Sequence, residues 1–179
     1  LEINEDIVNW AFVCTTCKSC QETCMATADG IRLPEMMEAL RRDLVAAGHA
    51  VARHGTVERS IREHHNPYGE GHDSRLALFG DRVWPEKADV VYFVGCTSAY
   101  REKEIATTTV ELLDKTGVDF TVIPDEYCCG SVLLRTGWTE QFDDLTKHNI
   151  EAIEKTGAKT VVTACAGCFR TWKSDVPQA

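Results

Sequence analysis

No lysine- or arginine-rich run occurs in this chain of 179 residues, and its formal net charge is −9. Phosphate recognition needs clustered cations, so no nucleic-acid groove is expected. No apolar stretch reaches the length of a bilayer span, so any membrane link must come through a partner. There is no low-complexity segment and no basic-then-apolar leader of the signal-peptide kind. The chain begins with Leu1 rather than Met, which reads as an excised or processed piece of a longer protein. What remains is ordinary for a globular protein: 26% charged and 44% hydrophobic residues, enough for one α/β domain with a small appendage. The expected location is the cytoplasm, or the inner face of a membrane through a partner subunit.

Cysteine, by contrast, is abundant. There are nine, and the odd count, the missing leader and the short spacings favour metal in a reducing compartment over disulfides. All nine fall into two groups, so none is left as an ordinary core residue.

The first group, Cys14-x-x-Cys17-x-x-Cys20-x-x-x-Cys24, lies in a small α-helical, ferredoxin-like segment assigned to residues 1–50. The x-x steps let three thiolates wrap three corners of a cube, and the fourth, one helical turn on, points away toward another cluster. This predicts a [4Fe-4S] cluster of ferredoxin type. Met25 stands where such runs usually have proline, and no second run lies upstream, so Cys24 lacks its own cluster and the other three lack a distant fourth ligand. Zinc would use two separated C-x-x-C pairs and suits these overlapping steps poorly. Trp10, just before the run, is expected to cover the cluster.

Residues 33–48 read as a helix, with Pro34 in the first turn, Leu40, Leu44 and Val45 at helical spacing, and Gly48 at the stop. A polar connector is assigned to 51–87, with turn signals at Asn66-Pro67-Tyr68-Gly69 and Gly71-His72-Asp73. Residues 88–179 then alternate: strand 88–95, helix 102–116, strand 119–123, a cysteine pair, helix 139–156, strand 159–163 and a short helix from Ala166. Lys115-Thr116-Gly117 and Lys155-Thr156-Gly157 each close a helix before a strand. The fold class is α/β with a parallel Rossmann-like sheet.

The second group follows those strands: Cys96, then Cys128-Cys129-Gly130, then Cys165-Ala166-Gly167-Cys168. Parallel strands place their carboxyl ends along one edge, so the five thiols converge at the crevice where such sheets bind ligands. A soft, thiophilic group belongs there, an iron–sulfur cluster above all. Cys128 and Cys129 cannot both point one way from a strand and therefore open a loop or helix after Pro124. Gly95, Gly130 and Gly167 adjoin these cysteines, where a missing side chain lets backbone approach sulfides.

Over about residues 10–179 the order of ferredoxin-type run, Asn66-Pro67-Tyr68-Gly69 turn and CCG motif resembles the cysteine-rich CCG family. That family includes the catalytic subunit of heterodisulfide reductase, relatives in sulfate reducers, and iron–sulfur subunits of glycolate, lactate and anaerobic glycerol-3-phosphate oxidation. The resemblance implies that Cys96, Cys128, Cys129, Cys165 and Cys168 hold a second, non-cubane iron–sulfur cluster. It also implies that a disulfide or small sulfur-carrier substrate reacts there, beside a facing CCG unit absent from this chain. Partners would be electron-transfer subunits: ferredoxin-like, flavin-bearing, or a membrane quinone or haem subunit.

An anionic cluster invites cations. Among Arg101, Lys103, Arg135, Arg170 and Lys173, Arg101 and Arg170 are the preferred candidates to meet substrate. His64, His65 and His72 read as solvated surface histidines. The leading expectation is an iron–sulfur oxidoreductase subunit passing electrons from the ferredoxin-type cluster to the CCG-motif cluster, where a disulfide is reduced or formed. The alternative is pure electron transfer within a flavin- or quinone-linked dehydrogenase. Two metal-free or zinc alternatives also stand: a thioredoxin-type dithiol at Cys165 and Cys168, and structural zinc.

Overall fold

The computed structural model describes residues 3–24 and 30–178; Met25 lies outside them. The chain divides into two compact units, Leu1–Thr56 with Val132–Glu140, and Val57–Ser131 with Gln141–Ala179.

The first unit is helical. It contains α1 (Glu5–Val13), α2 (Ser19–Thr23) and α3 (Leu33–Ala46). Asn4 caps α1, its side chain accepting from the Ile7 N–H at 3.0 Å. Pro34 occupies the first turn of α3, as expected from its fixed φ. That helix stops at the expected glycine: the Gly48 N–H donates to Val45 and the His49 N–H to Leu44, the paired bonds that close a helix with a left-handed residue.

The connector is more ordered than its polarity suggested. Residues 52–64 form a 13-residue helix, α4 (Ala52–His64), in which Ile61 is wholly buried. Its apolar face is too narrow to stand out in the sequence, so tertiary burial decides the conformation.

The sheet of the second unit is parallel and three-stranded, in the order β2 (Phe120–Thr121), β1 (Val90–Tyr92), β3 (Thr160–Val162). Val91 pairs with Thr121 on one side and Val161 on the other. Val91, Tyr92, Phe93 and Val94 are fully buried, which is why the central strand reads as an unbroken apolar run. The helices α5 (Cys96–Tyr100) and α6 (Lys103–Lys115) connect β1 to β2, and α7 (Ser131–Thr136) and α8 (Phe142–Thr156) lie between β2 and β3. A short helix, α9 (Ala166–Arg170), follows β3 and continues into a π-helical turn at Thr171–Asp175. The strands are shorter than read from the sequence, because the flanking apolar residues leave the ladder to form the loops that carry the cysteines. Since β1 leads out to one side and β3 returns on the other, the strand order reverses at the carboxyl ends of β1 and β3.

Candidate metal centre

The five late thiols gather at that reversal. Cys96 opens α5 directly after β1, Cys165 caps α9 after β3, and Cys168 lies inside α9. Cys128 and Cys129 occupy the loop between β2 and α7, where the Cys128 N–H donates to the His65 carbonyl at 2.8 Å. The Cys96 and Cys128 sulfurs are 3.7 Å apart. Cys128 in turn meets Cys129, Cys129 meets Cys168, and Cys168 meets Cys165. Four of the five are buried and Cys165 is half-buried. All five thiols thus converge and interact in turn.

Backbone geometry makes this possible. Gly95 has φ +76°, and a Cβ there would stand 3.2 Å from the Cys168 sulfur, so glycine alone lets the end of β1 lie against the α9 thiol. At Gly167 a Cβ would come within 3.7 Å of the Cys165 sulfur. A Cβ built at Gly130 (φ +77°) would stand 2.5 Å from the Phe142 ring. This glycine lets α8 pack closely under the cysteine loop.

The thiols do not share their protons evenly. Cys129 is held well below the ordinary thiol range by hydrogen bonds from the Cys128 and Cys168 thiols and the Ser131 N–H, against the effect of burial. Cys165 is drawn down to about 6 by the Cys168 thiol and by the Cys168 and Gly167 N–H groups. Cys128 and Cys168, which donate, are pushed up. Two thiols drawn down beside two pushed up form a soft donor set suited to a thiophilic metal. Among the described residues no three His, Cys, Asp or Glu side chains surround a point suited to a single ion. Five converging thiols fit a multi-iron group better than one tetrahedral zinc.

Beneath the thiols lies an ion pair that the sequence did not disclose. Arg75 Nη1 donates to Glu126 Oε1 at 2.6 Å, with side-chain exposures of 1% and 0%. Glu126 also accepts from the Val94 N–H at 2.8 Å and the Gly95 N–H at 2.9 Å, which pins the strand end that leads into Cys96. Burial pushes its carboxyl up to about 7, although Arg75 and the two N–H groups pull the other way.

The Asn66-Pro67-Tyr68-Gly69 turn is built on a wholly buried Asn66. Its amide donates to the His64 and Glu70 carbonyls, and its oxygen accepts from the Tyr68 and Glu70 N–H groups. The Tyr68 hydroxyl lies 2.9 Å from the Thr97 hydroxyl, tying the turn to the residue after Cys96. Arg101 serves this turn: its guanidinium bonds Glu70 at 2.7 Å and sits 4.4 Å from the Tyr68 ring centre. Arg170 is half-buried and ends α9.

His65 and His72 are not solvated surface residues. Their ring nitrogens are 3.0 Å apart, His65 stacks on Tyr127, and Tyr127 stacks on His148. Burial is the chief cause that lowers the pKa of both His65 and His72. His64 is exposed, as expected.

The first unit organises its own cysteines. Arg41, nearly buried, donates to the carbonyls of Ala11 (2.8 Å), Arg135 (2.6 Å) and Cys14. It therefore holds the end of α1 and the start of the cysteine loop together. Thr16 (φ +52°) and Lys18 (φ +68°) are left-handed, a costly state for a β-branched residue, and they bend the loop twice between its first three cysteines. The Thr16 N–H donates to the Cys14 sulfur at 3.4 Å. The Cys17 thiol is held low by the Ser19 N–H and the Thr15 and Ser19 side chains. Cys14, Cys17 and Cys20 line one apolar cavity of about 630 Å³ together with Trp10, Met36 and Met37; Cys24 is not among its walls.

Residues 90–173 match the family model described as the cysteine-rich domain CCG. The chain is 42% identical over 171 residues to a subunit of the dihydromethanophenazine:CoB–CoM heterodisulfide reductase of Methanosarcina barkeri, covering 92% of this chain and 41% of that protein. It is 32% identical over 174 residues to an uncharacterized iron–sulfur protein of Methanococcus maripaludis, covering 96% and 34% respectively. It is 26% identical over 178 residues to EtfAB:quinone oxidoreductase of Syntrophomonas wolfei, covering 92% and 25%. The chain therefore spans about two fifths or less of the curated relatives it matches. No solved structure matches it. No helix among the described residues is long and apolar enough to cross a membrane.

Proposed function

We propose that this chain, whose residues 90–173 match the cysteine-rich CCG domain, is part of an iron–sulfur oxidoreductase subunit that reduces, or forms, a disulfide or related sulfur substrate. The observation that supports this most is the convergence of five thiols at the strand-order reversal. Cys96, Cys128, Cys129, Cys165 and Cys168 would hold one iron–sulfur cluster, of non-cubane type because a cubane offers four corners to five thiolates. Cys14, Cys17 and Cys20 would hold a [4Fe-4S] cluster, with Cys24 serving another. When bound, the clusters supply one-electron transfer and, at the late thiols, iron soft enough to take a substrate sulfur.

The chain's own residues set the conditions. Glu126 fixes the backbone before Cys96, and Gly95 lets main chain lie against sulfur. Cys129 and Cys165 are drawn down and Cys128 and Cys168 pushed up, so metal binding would displace protons chiefly from the latter pair. Splitting a disulfide consumes two electrons and two protons and yields two thiols. The electrons would come from a partner subunit, with Cys14, Cys17 and Cys20 holding the group that relays them. Arg170, in the helix that carries Cys168, is the proposed cationic contact for a substrate thiolate. Arg101 is committed to Glu70 and Tyr68.

Anaerobically purified protein should contain iron and acid-labile sulfide and give two electron-paramagnetic signals. Cys17→Ser should remove one signal and Cys128→Ser the other. Loss of both signals in either folded variant would refute two independent centres. A second reading, electron transfer alone, is favoured by the resemblance to a quinone oxidoreductase. It expects reduction of a dye with no turnover of any disulfide.

A further inference from the structure

We propose that Arg75 is a positioning residue for the late thiols, a buried cation whose unpaired N–H groups stabilise negative charge at Cys96 and Cys128. The inference rests on the proposed reading that those thiols hold a cluster. It goes further by assigning the charge partner, which lies outside every cysteine motif.

Arg75 has no exposed surface. Of its guanidinium nitrogens, Nη1 bonds Glu126, while Nε and Nη2 are buried without a hydrogen-bond partner. Two bare donors in a dry site are costly, and native proteins rarely leave them so. Besides Glu126, the groups that interact with this charge include Tyr100, Cys96, Cys128 and His72. Tyr100 presents its ring, 5.2 Å from the guanidinium carbon. Its hydroxyl lies near the guanidinium but makes no well-formed hydrogen bond to it. The two sulfurs, which also act on this charge, lie 3.7 Å from each other.

Glu126 gives the arrangement its rigidity. The same carboxylate that holds Arg75 also holds the Val94 and Gly95 N–H groups, so cation and thiol-bearing backbone are fixed to one anchor. A thiolate-ligated cluster gains negative charge on reduction, and a fixed cation beside its sulfurs favours the reduced state. Arginine suits the place because it stays charged when buried, whereas lysine loses its proton readily there.

The test compares Arg75→Lys with the double variant Arg75→Met/Glu126→Gln, which removes both charges and so avoids stranding a buried carboxylate. Iron and sulfide content, circular dichroism and an electron-paramagnetic redox titration are measured on each. The double variant, folded and loaded, should favour the oxidised state at least tenfold relative to wild type, a midpoint lowered by about 59 mV or more for a one-electron couple. An unchanged midpoint would overturn the proposal. So would equal loss of iron from both folded variants, which marks a purely structural role; loss from the double variant alone supports it. A further measurement needs no mutation: arginine labelled with ¹⁵N at the guanidinium should give a nitrogen coupling in the pulsed spectrum of the wild-type late cluster. Absence of that coupling would also overturn the proposal. A wild type that binds no iron at Cys96 and Cys128 would instead refute the cluster reading.

Discussion

Gly130→Ala is expected to destabilise the second unit severely while adding one methyl group. Two costs combine. At φ +77° an L-residue is strained by about 1–2 kcal/mol. The new Cβ would also lie 2.5 Å from Phe142 Cδ2 and 3.0 Å from Cε2, and that ring is 4% exposed and cannot swing into solvent. Overpacking of this kind costs about 1–3 kcal/mol, for a total of about 2–5 kcal/mol. Urea unfolding of the whole chain under anaerobic, reducing conditions measures it as a lower midpoint at unchanged slope. Phe142→Leu separates the terms. In the double variant the clash is relieved and the φ strain stays, so the two losses should fall short of additivity by about 1–3 kcal/mol. A loss below about 0.5 kcal/mol for Gly130→Ala, or strict additivity with Phe142→Leu, would refute the packing argument.

Arg41→Met removes the cation from three carbonyls and should cost about 3 kcal/mol or more in the first unit. Faster hydrogen exchange confined to the α1–Cys17 segment would check it, and unchanged exchange there would count against the clamp. Burial lowers the pKa of His54, His65 and His72 below the ordinary 6.5. Their neutral forms are therefore favoured by folding, and the stability they contribute is present above about pH 6.5 and lost as the pH falls below it. Thermal unfolding followed from about pH 8 to about pH 5 should show this decline, and His72→Gln should flatten it.

Much of the site was legible in the order of the residues alone. Cys96, Cys128, Cys129 and Cys165 each follow a strand, and parallel strands connected by helices leave the carboxyl ends on one edge whatever the details of packing. Strand and helix positions followed from apolar runs and from the two Lys-Thr-Gly stops, which are local signals. The C-x-x-C steps likewise state by spacing alone which thiols of the first group can act together.

The remainder had no local signal. Arg75 and Glu126 are 51 residues apart, and nothing in a polar stretch marks one arginine as buried; only the completed core creates the desolvated space in which that pair is obligatory. The same holds for His65, His72 and His148, whose stacking on Tyr127 exists only once three separate segments have met. Gly130 was legible as a glycine beside two cysteines, but its neighbour is the Phe142 ring brought in by α8. Arg101 looked like a cation free to meet substrate until the Asn66 turn delivered Glu70 and Tyr68 to it. Sequence spacing determines which residues an element can present together, because backbone periodicity is local. Which charges are buried, and against what, is decided by packing between distant segments, because desolvation depends on every atom around the group.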